Sequence, residues 1–187
     1  MSNGRFSGNP KTEWLSDKGD DRDMRVIEAF WYLDPDGRRW DVPAGTIING
    51  ASIPRTLWSA VGSPYTGDYR RAALVHDAAV GREGVLRQEA DSMFYFACLC
   101  GGCSALQAKL LYAGVRVGTW ASGTHLLAMD AVAMAPGAAR LPGQQTPREL
   151  ELRARYTIIA NELVATGDNF ADIQQVVDRH LGPQPGP

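Results

Sequence analysis

Polar residues dominate positions 1 to 23, where Gly, Asn, Ser, Asp and Lys leave no stretch able to cover a core, and this predicts a flexible N-terminal arm. Apolar density begins at Met24. Val26, Phe30 and Tyr32 alternate with Ile27, Trp31 and Leu33, a run that suits a strand with both faces partly covered. Asp34-Pro35-Asp36-Gly37 then marks a tight turn, because Pro presets φ and Gly supplies positive φ. With a return strand from Arg38 to Val42, residues 25–42 read as a hairpin, the one clear β element of the pattern. Ile47-Ile48 follows as a short apolar link.

Downstream the period changes to that of helices. Ser52 is placed to cap a short helix over 54–61 that opens on Pro54. Helices are predicted over 68–80, with Gly81 as its cap, over 85–100, closed by Gly101-Gly102, and over 104–120. Residues 121–146 are rich in Ala, Gly and Pro. Thr146-Pro147-Arg148-Glu149 is a helix start, leading to about Thr166, and a last helix spans 170–181 before a fraying tail. The expected fold is therefore mainly α with a small N-terminal β-hairpin and an antiparallel helix pair as its core. The chain divides into the arm 1–23, a helix-pair domain 24–120, a linker 121–146 and a C-terminal helical hairpin 147–187.

Composition narrows the classes. A chain of 187 residues with 44% hydrophobic and 21% charged residues has room for one real core and is not disordered. Nineteen Lys plus Arg against twenty-one Asp plus Glu give a net charge of −2, which argues against a nucleic-acid partner. No apolar run approaches the ~18 residues of a membrane span, and the polar N-terminus lacks a signal-peptide core, so a cytoplasmic product is expected.

The chemistry concentrates in residues 47–95. If the helices over 68–80 and 85–100 run antiparallel about the turn at 81–84, His76 and Asp91 sit at one height and can face each other. Ala72, Ala73 and Ala79 share the His76 face and let the facing helix approach closely. A carboxylate fixes the tautomer of a histidine and frees its other nitrogen as a general base. Asp77, about 100° around the helix from His76, points elsewhere. It could meet the Asn49-Gly50 loop, whose oxygens with its carboxylate could hold calcium. The plainer reading is that His76 is a packed core residue and that Asp91 pairs with Arg87 at i,i+4.

The order Asn49-Gly-Ala-Ser-Ile-Pro-Arg55, then Arg-x-Ala-x-x-x-His76-Asp77, then Arg87-x-x-Ala-Asp91-x-x-Phe94, then Leu-Tyr-Ala-Gly-Val-Arg116 resembles a phage and prophage family, domain of unknown function 1353, over roughly residues 25–120. The same order is distantly similar to prokaryotic phospholipase A2. That resemblance implies a phospholipase A2-like fold and a calcium-assisted hydrolysis of acyl esters. It makes His76 the general base, Asp91 its orienting partner, and Asp77 the calcium ligand with Asn49 and Gly50. Asn49 departs from the usual acid of the loop, and Val80 from the usual aromatic hydroxyl, for which Tyr112 or Tyr69 are substitutes. The opposing expectation is a non-catalytic phage protein, associated with the virion or with lysis proteins, that keeps the scaffold alone.

Arg55 and Trp58 lie beside the loop and could meet an anionic headgroup at a lipid surface, though Trp58 could equally pack the short helix onto the core. Cys98, Cys100 and Cys103 with His125 could in principle bind zinc, but their spacing lacks paired knuckles and reads as buried thiols. His180, near the fraying end, carries no assigned chemistry.

Overall fold

The computed structural model describes residues 2–15, 23–48, 53–62, 67–80, 82–123 and 145–182. Six short strands lie in the N-terminal quarter: β1 (Arg5–Phe6), β2 (Thr12–Trp14), β3 (Met24–Val26), β4 (Phe30–Leu33), β5 (Arg39–Val42) and β6 (Ile47–Ile48). They form two antiparallel three-stranded sheets, ordered β1-β4-β5 and β2-β3-β6. Helices follow: a 3-10 turn (Arg55–Leu57) running into α1 (Trp58–Val61), then α2 (Arg70–Val80), α3 (Arg87–Gly101), α4 (Ala105–Gly123), α5 (Pro147–Ala165) and α6 (Phe170–Leu181). No helix among the described residues is long and apolar enough to cross a membrane.

The hairpin forms as expected in β4 and β5, with Tyr32 opposite Trp40 and Asp34 receiving the Trp40 indole N–H at 2.8 Å. Two expectations are corrected here. The strand predicted through residues 26–33 breaks at the exposed Ile27-Glu28-Ala29, where the chain passes from one sheet to the other. The described part of the N-terminal arm is also not free. Its β1 completes one sheet against β4, and its β2 completes the other against β3.

Backbone hydrogen bonding explains why so polar a segment is held. Edge strands need partners for their N–H and C=O groups, and side-chain polarity on an outer face does not oppose pairing. Further ties come from Tyr32 Oη, which donates to the Asn3 carbonyl at 2.6 Å, and from Phe6, which packs on Tyr32 and under the Arg71 guanidinium. Ile47-Ile48, read as a link, is the strand β6.

The helix boundaries track the sequence pattern to within about two residues. Pro54 occupies the N-cap position of the 3-10 turn without a side-chain cap, and the proposed capping residue Ser52 lies outside the described residues, as does Gly81. Gly102 ends α3 in the left-handed region at φ 111°. Thr146 and Glu149 close a reciprocal capping box on α5, and Asn169 caps α6. Of the segment read as a linker, Ala121–Gly123 continue α4, and residues 124–144 lie outside the described residues.

The core is layered around α3 and α4. α2 packs on α3 and on β5, α3 on α4, and α4 on α5 and α6. Phe170 of α6 stacks on Tyr95 at 4.7 Å between ring centres and meets Tyr112 at 5.3 Å, which fastens the last helix to the central pair. His180 is not at a fraying end: its Nε2 lies 2.7 Å from Glu162, which Arg179 also engages. The hydrogen bond with His180, together with the charge of Arg179, holds the Glu162 carboxyl below its ordinary range.

Gly101 shows how tightly the chain closes here. A Cβ at that position would lie 2.3 Å from the backbone carbonyl oxygen of Asp68, just before α2. Gly101→Ala therefore forces backbone to move, and we expect a loss of about 1–3 kcal/mol in urea unfolding. Gly37→Ala, at a turn glycine with φ 84° and open space around it, should lose only the smaller cost of its backbone conformation.

Candidate functional site

His76 sits in the middle of α2 and Asp91 in the first half of α3, and both are fully buried. The short turn between these helices sets them antiparallel, and Ala72 and Ala79 on the His76 face leave room for close approach. The imidazole Nε2 lies 2.7 Å from Asp91 Oδ1. An ionised carboxylate only accepts, so this bond puts a proton on Nε2, and in the neutral imidazole the lone pair is then on Nδ1. Nδ1 is buried and has no hydrogen-bond partner among the described residues, while the ring lies against Phe94 at 4.9 Å.

Asp91 is the centre of a larger network. Arg87 Nε lies 3.4 Å from Oδ1, so the plainer i,i+4 pairing also exists, alongside the histidine contact. Thr119 on α4 accepts from Arg87 Nε at 2.9 Å, and its hydroxyl lies 3.2 Å from Asp91 Oδ2. On the far side Arg116 Nε stands 3.9 Å from Asp91 Oδ2. Arg116 is 2% exposed, donates to Tyr112 Oη at 2.9 Å and to Asp178 Oδ1 at 2.8 Å. Burial pushes the Tyr112 phenol up, which keeps its oxygen a neutral acceptor for that guanidinium. Tyr112, one of the two hydroxyls offered in place of the one missing at Val80, bonds the Arg116 guanidinium, which stands 3.9 Å from Asp91.

Thr119 and Asp178 were not among the residues singled out from the sequence, and Arg116 entered only as the end of the Leu-Tyr-Ala-Gly-Val-Arg116 motif, with no role assigned to it. One signal for Arg116 is a charged residue inside the apolar stretch Leu110–Val117, where an unpaired cation would be costly to bury. Nothing comparable marks Asp178, which is separated from Arg116 by 62 positions.

Asp77 is half-buried at the neighbouring position of α2, and Asn49 and Gly50 lie outside the described residues. Among the described residues no three His, Cys, Asp or Glu side chains gather as a metal ion would require. The described donors therefore do not by themselves make a calcium site. Arg55 is exposed, with its guanidinium 5.5 Å from the Trp58 ring centre, and the Trp58 indole N–H donates to the Ile53 carbonyl at 3.0 Å. Trp58 is half-buried against the core, as the packing alternative had it.

Cys98 and Cys103 are buried free thiols, and Cys100 contacts the Gly4 carbonyl at 3.4 Å. Burial pushes the Cys98 thiol well up, whereas its hydrogen bond to Cys103 draws that thiol down. His125 lies outside the described residues.

Comparison with known proteins bears on the same region. Residues 24–115, which include His76 and Asp91, match the profile of the family described as protein of unknown function DUF1353. Two relatives from Sinorhizobium fredii (strain NBRC 101917 / NGR234) are similar in sequence, and both are described as uncharacterized. The protein y4jT is 32% identical over 123 residues, 65% of this chain and 34% of its own. The protein y4iH is 36% identical over 102 residues, 54% of this chain and 43% of its own. This chain thus spans less than half the length of either relative. No solved structure matches it.

The network makes a stability prediction independent of any activity. Asp91→Asn keeps the volume but strands the buried Arg116 beside an amide and weakens the hold on His76. Breaking one side of a buried charge network costs about 3–5 kcal/mol. Urea unfolding should show a loss of that order, against less than about 0.5 kcal/mol for a surface control such as Glu28→Gln.

Proposed function

We propose that this chain, which belongs through residues 24–115 to the DUF1353 family of unknown function, is an acyl-ester hydrolase in which His76 is the general base. The observation carrying this reading is the asymmetry of the imidazole: Nε2 is held by Asp91 at 2.7 Å, while the buried Nδ1 has no hydrogen-bond partner among the described residues. A buried acceptor without a hydrogen bond costs about 1–3 kcal/mol. We read that cost as the sign of a lone pair kept for use.

The chemistry follows from the atoms. Nδ1 removes a proton from a water as the water oxygen attacks the ester carbonyl, and the imidazolium formed is stabilised through Nε2–H by Asp91. The same proton is then delivered to the leaving alcohol. Because His76 is shut off from solvent in this structure, turnover requires an opening that admits water and ester to Nδ1. Arg55 and Trp58 form the surface proposed to meet a lipid headgroup. Calcium at Asp77, Asn49 and Gly50 is a separate part of the proposal, and no step above is routed through it. A phage origin with lysis or virion partners fits a lipid-directed hydrolase.

One observation favours a second reading. Both members of the dyad are completely enclosed and tied into a four-element charge network, which is also how a purely architectural pair would be built. His76→Gln separates the two readings. Its amide nitrogen can still donate to Asp91 in place of Nε2, but it has no basic nitrogen. On mixed phospholipid micelles, with and without calcium, the hydrolase reading expects fatty-acid release to fall ~10²–10⁴-fold while the thermal midpoint stays near that of the parent. No release by the parent protein above a heat-killed control, across headgroups, would transfer the assignment to the architectural, non-catalytic reading.

A further inference from the structure

We propose that Asp178, on the last helix, is a positioning residue for the His76–Asp91 dyad. It acts by holding the Arg116 guanidinium one step back from Asp91. The proposal deepens the hydrolase reading, and its catalytic consequence rests on that reading, although its structural consequence does not.

Arg116 is a buried cation between two carboxylates. Its two terminal nitrogens are taken, by Tyr112 at 2.9 Å and Asp178 at 2.8 Å. Its Nε is buried without a hydrogen bond, although Asp91 Oδ2 lies only 3.9 Å away. An N–H···O bond closes at about 2.7–3.2 Å, so Nε stops roughly 1 Å short of a partner it would otherwise take. Asp178 pulls the far end of the guanidinium toward α6, and α6 is fixed by Phe170 against Tyr95 and Tyr112. Asp178 stands at the outer end of this chain of contacts, 32% exposed, in a recess with Gln88, Gln174, Gln175 and Arg179.

The arrangement has an electrostatic consequence. Asp91 already answers His76, Arg87 and Thr119, and a direct bond from Arg116 would draw its charge further away from the imidazole. A charge-assisted hydrogen bond weakens as its acceptor's charge is shared. Asp178 thereby keeps Asp91 strong toward His76. Asp178 lies well beyond residue 115, where the family match ends.

The test uses the full chain labelled with 15N at its histidine rings, with the His76 resonances assigned by their loss in His76→Gln. Asp178→Asn should release Arg116 toward Asp91, weaken the Nε2–H···Asp91 bond and move the Nε2 proton upfield. Asp178→Glu should restore it toward the parent position. Arg116→Gln removes the competitor altogether and should move the same proton the other way, downfield.

Opposite signs are what a merely structural role would not produce. An unchanged His76 signal in folded Asp178→Asn, or shifts of the same sign in both variants, overturns the proposal. Should one variant fail to fold, the sign in the other decides. Fatty-acid release is followed in parallel. If the parent protein hydrolyses nothing, the hydrolase reading fails while the ring resonances still decide the role of Asp178.

Discussion

A carboxylate placed in the centre of an apolar core obliges everything around it to supply donors. Asp91 is wholly buried, and leaving such a charge unanswered would cost more than a small domain's entire stability. The answer is drawn from three helices: His76 on α2, Arg87 beside it on α3, and Thr119 and Arg116 on α4. Each of these contacts fixes a relative rotation and height, so the polar network specifies how three otherwise greasy surfaces register. Arg116 extends the requirement outward to Asp178, and thereby the last helix is made part of the same electrostatic unit. The two carboxylates, Asp91 and Asp178, are balanced by the two guanidiniums, Arg87 and Arg116.

Close packing makes that register possible. Alanines on the inner face of α2 bring the imidazole within bonding reach of α3, and the missing Cβ of Gly101 lets the segment before α2 cross the end of α3. The N-terminal strands contribute from the other side. β5 and β6 lie against α2, and β1 contacts α3, so both sheets buttress the helices that carry the dyad. Polar as it is, the first part of the chain is therefore a structural component of the site's surroundings.

The likeness to a family of unknown function and to two uncharacterized relatives leaves the chemistry to be argued from the site itself. Among the described residues the His76 imidazole has one nitrogen held by Asp91 and the other buried without a hydrogen bond, and the proposed chemistry rests on that asymmetry. The residues that hold His76 in place also hold the helices together.

Much of this could be read directly from the chain. Helical periods, the Asp34-Pro35-Asp36-Gly37 turn, the Thr146–Glu149 box and the meeting of His76 with Asp91 are consequences of local pattern: a short turn between two helices fixes which residues share a level. The strands β1, β2 and β6 were not legible, because two- or three-residue strands carry no period and owe their existence to backbone partners far along the chain. Nor was the Arg116–Asp178 bond, which joins residues 62 positions apart and depends on how α6 lies across α4. The amino-acid sequence by itself determined the helices and the pairing across a tight turn, where spacing dictates geometry. Only the tertiary structure decided which distant groups surround Asp91, since that depends on how whole helices pack and on where a buried charge finds its partners.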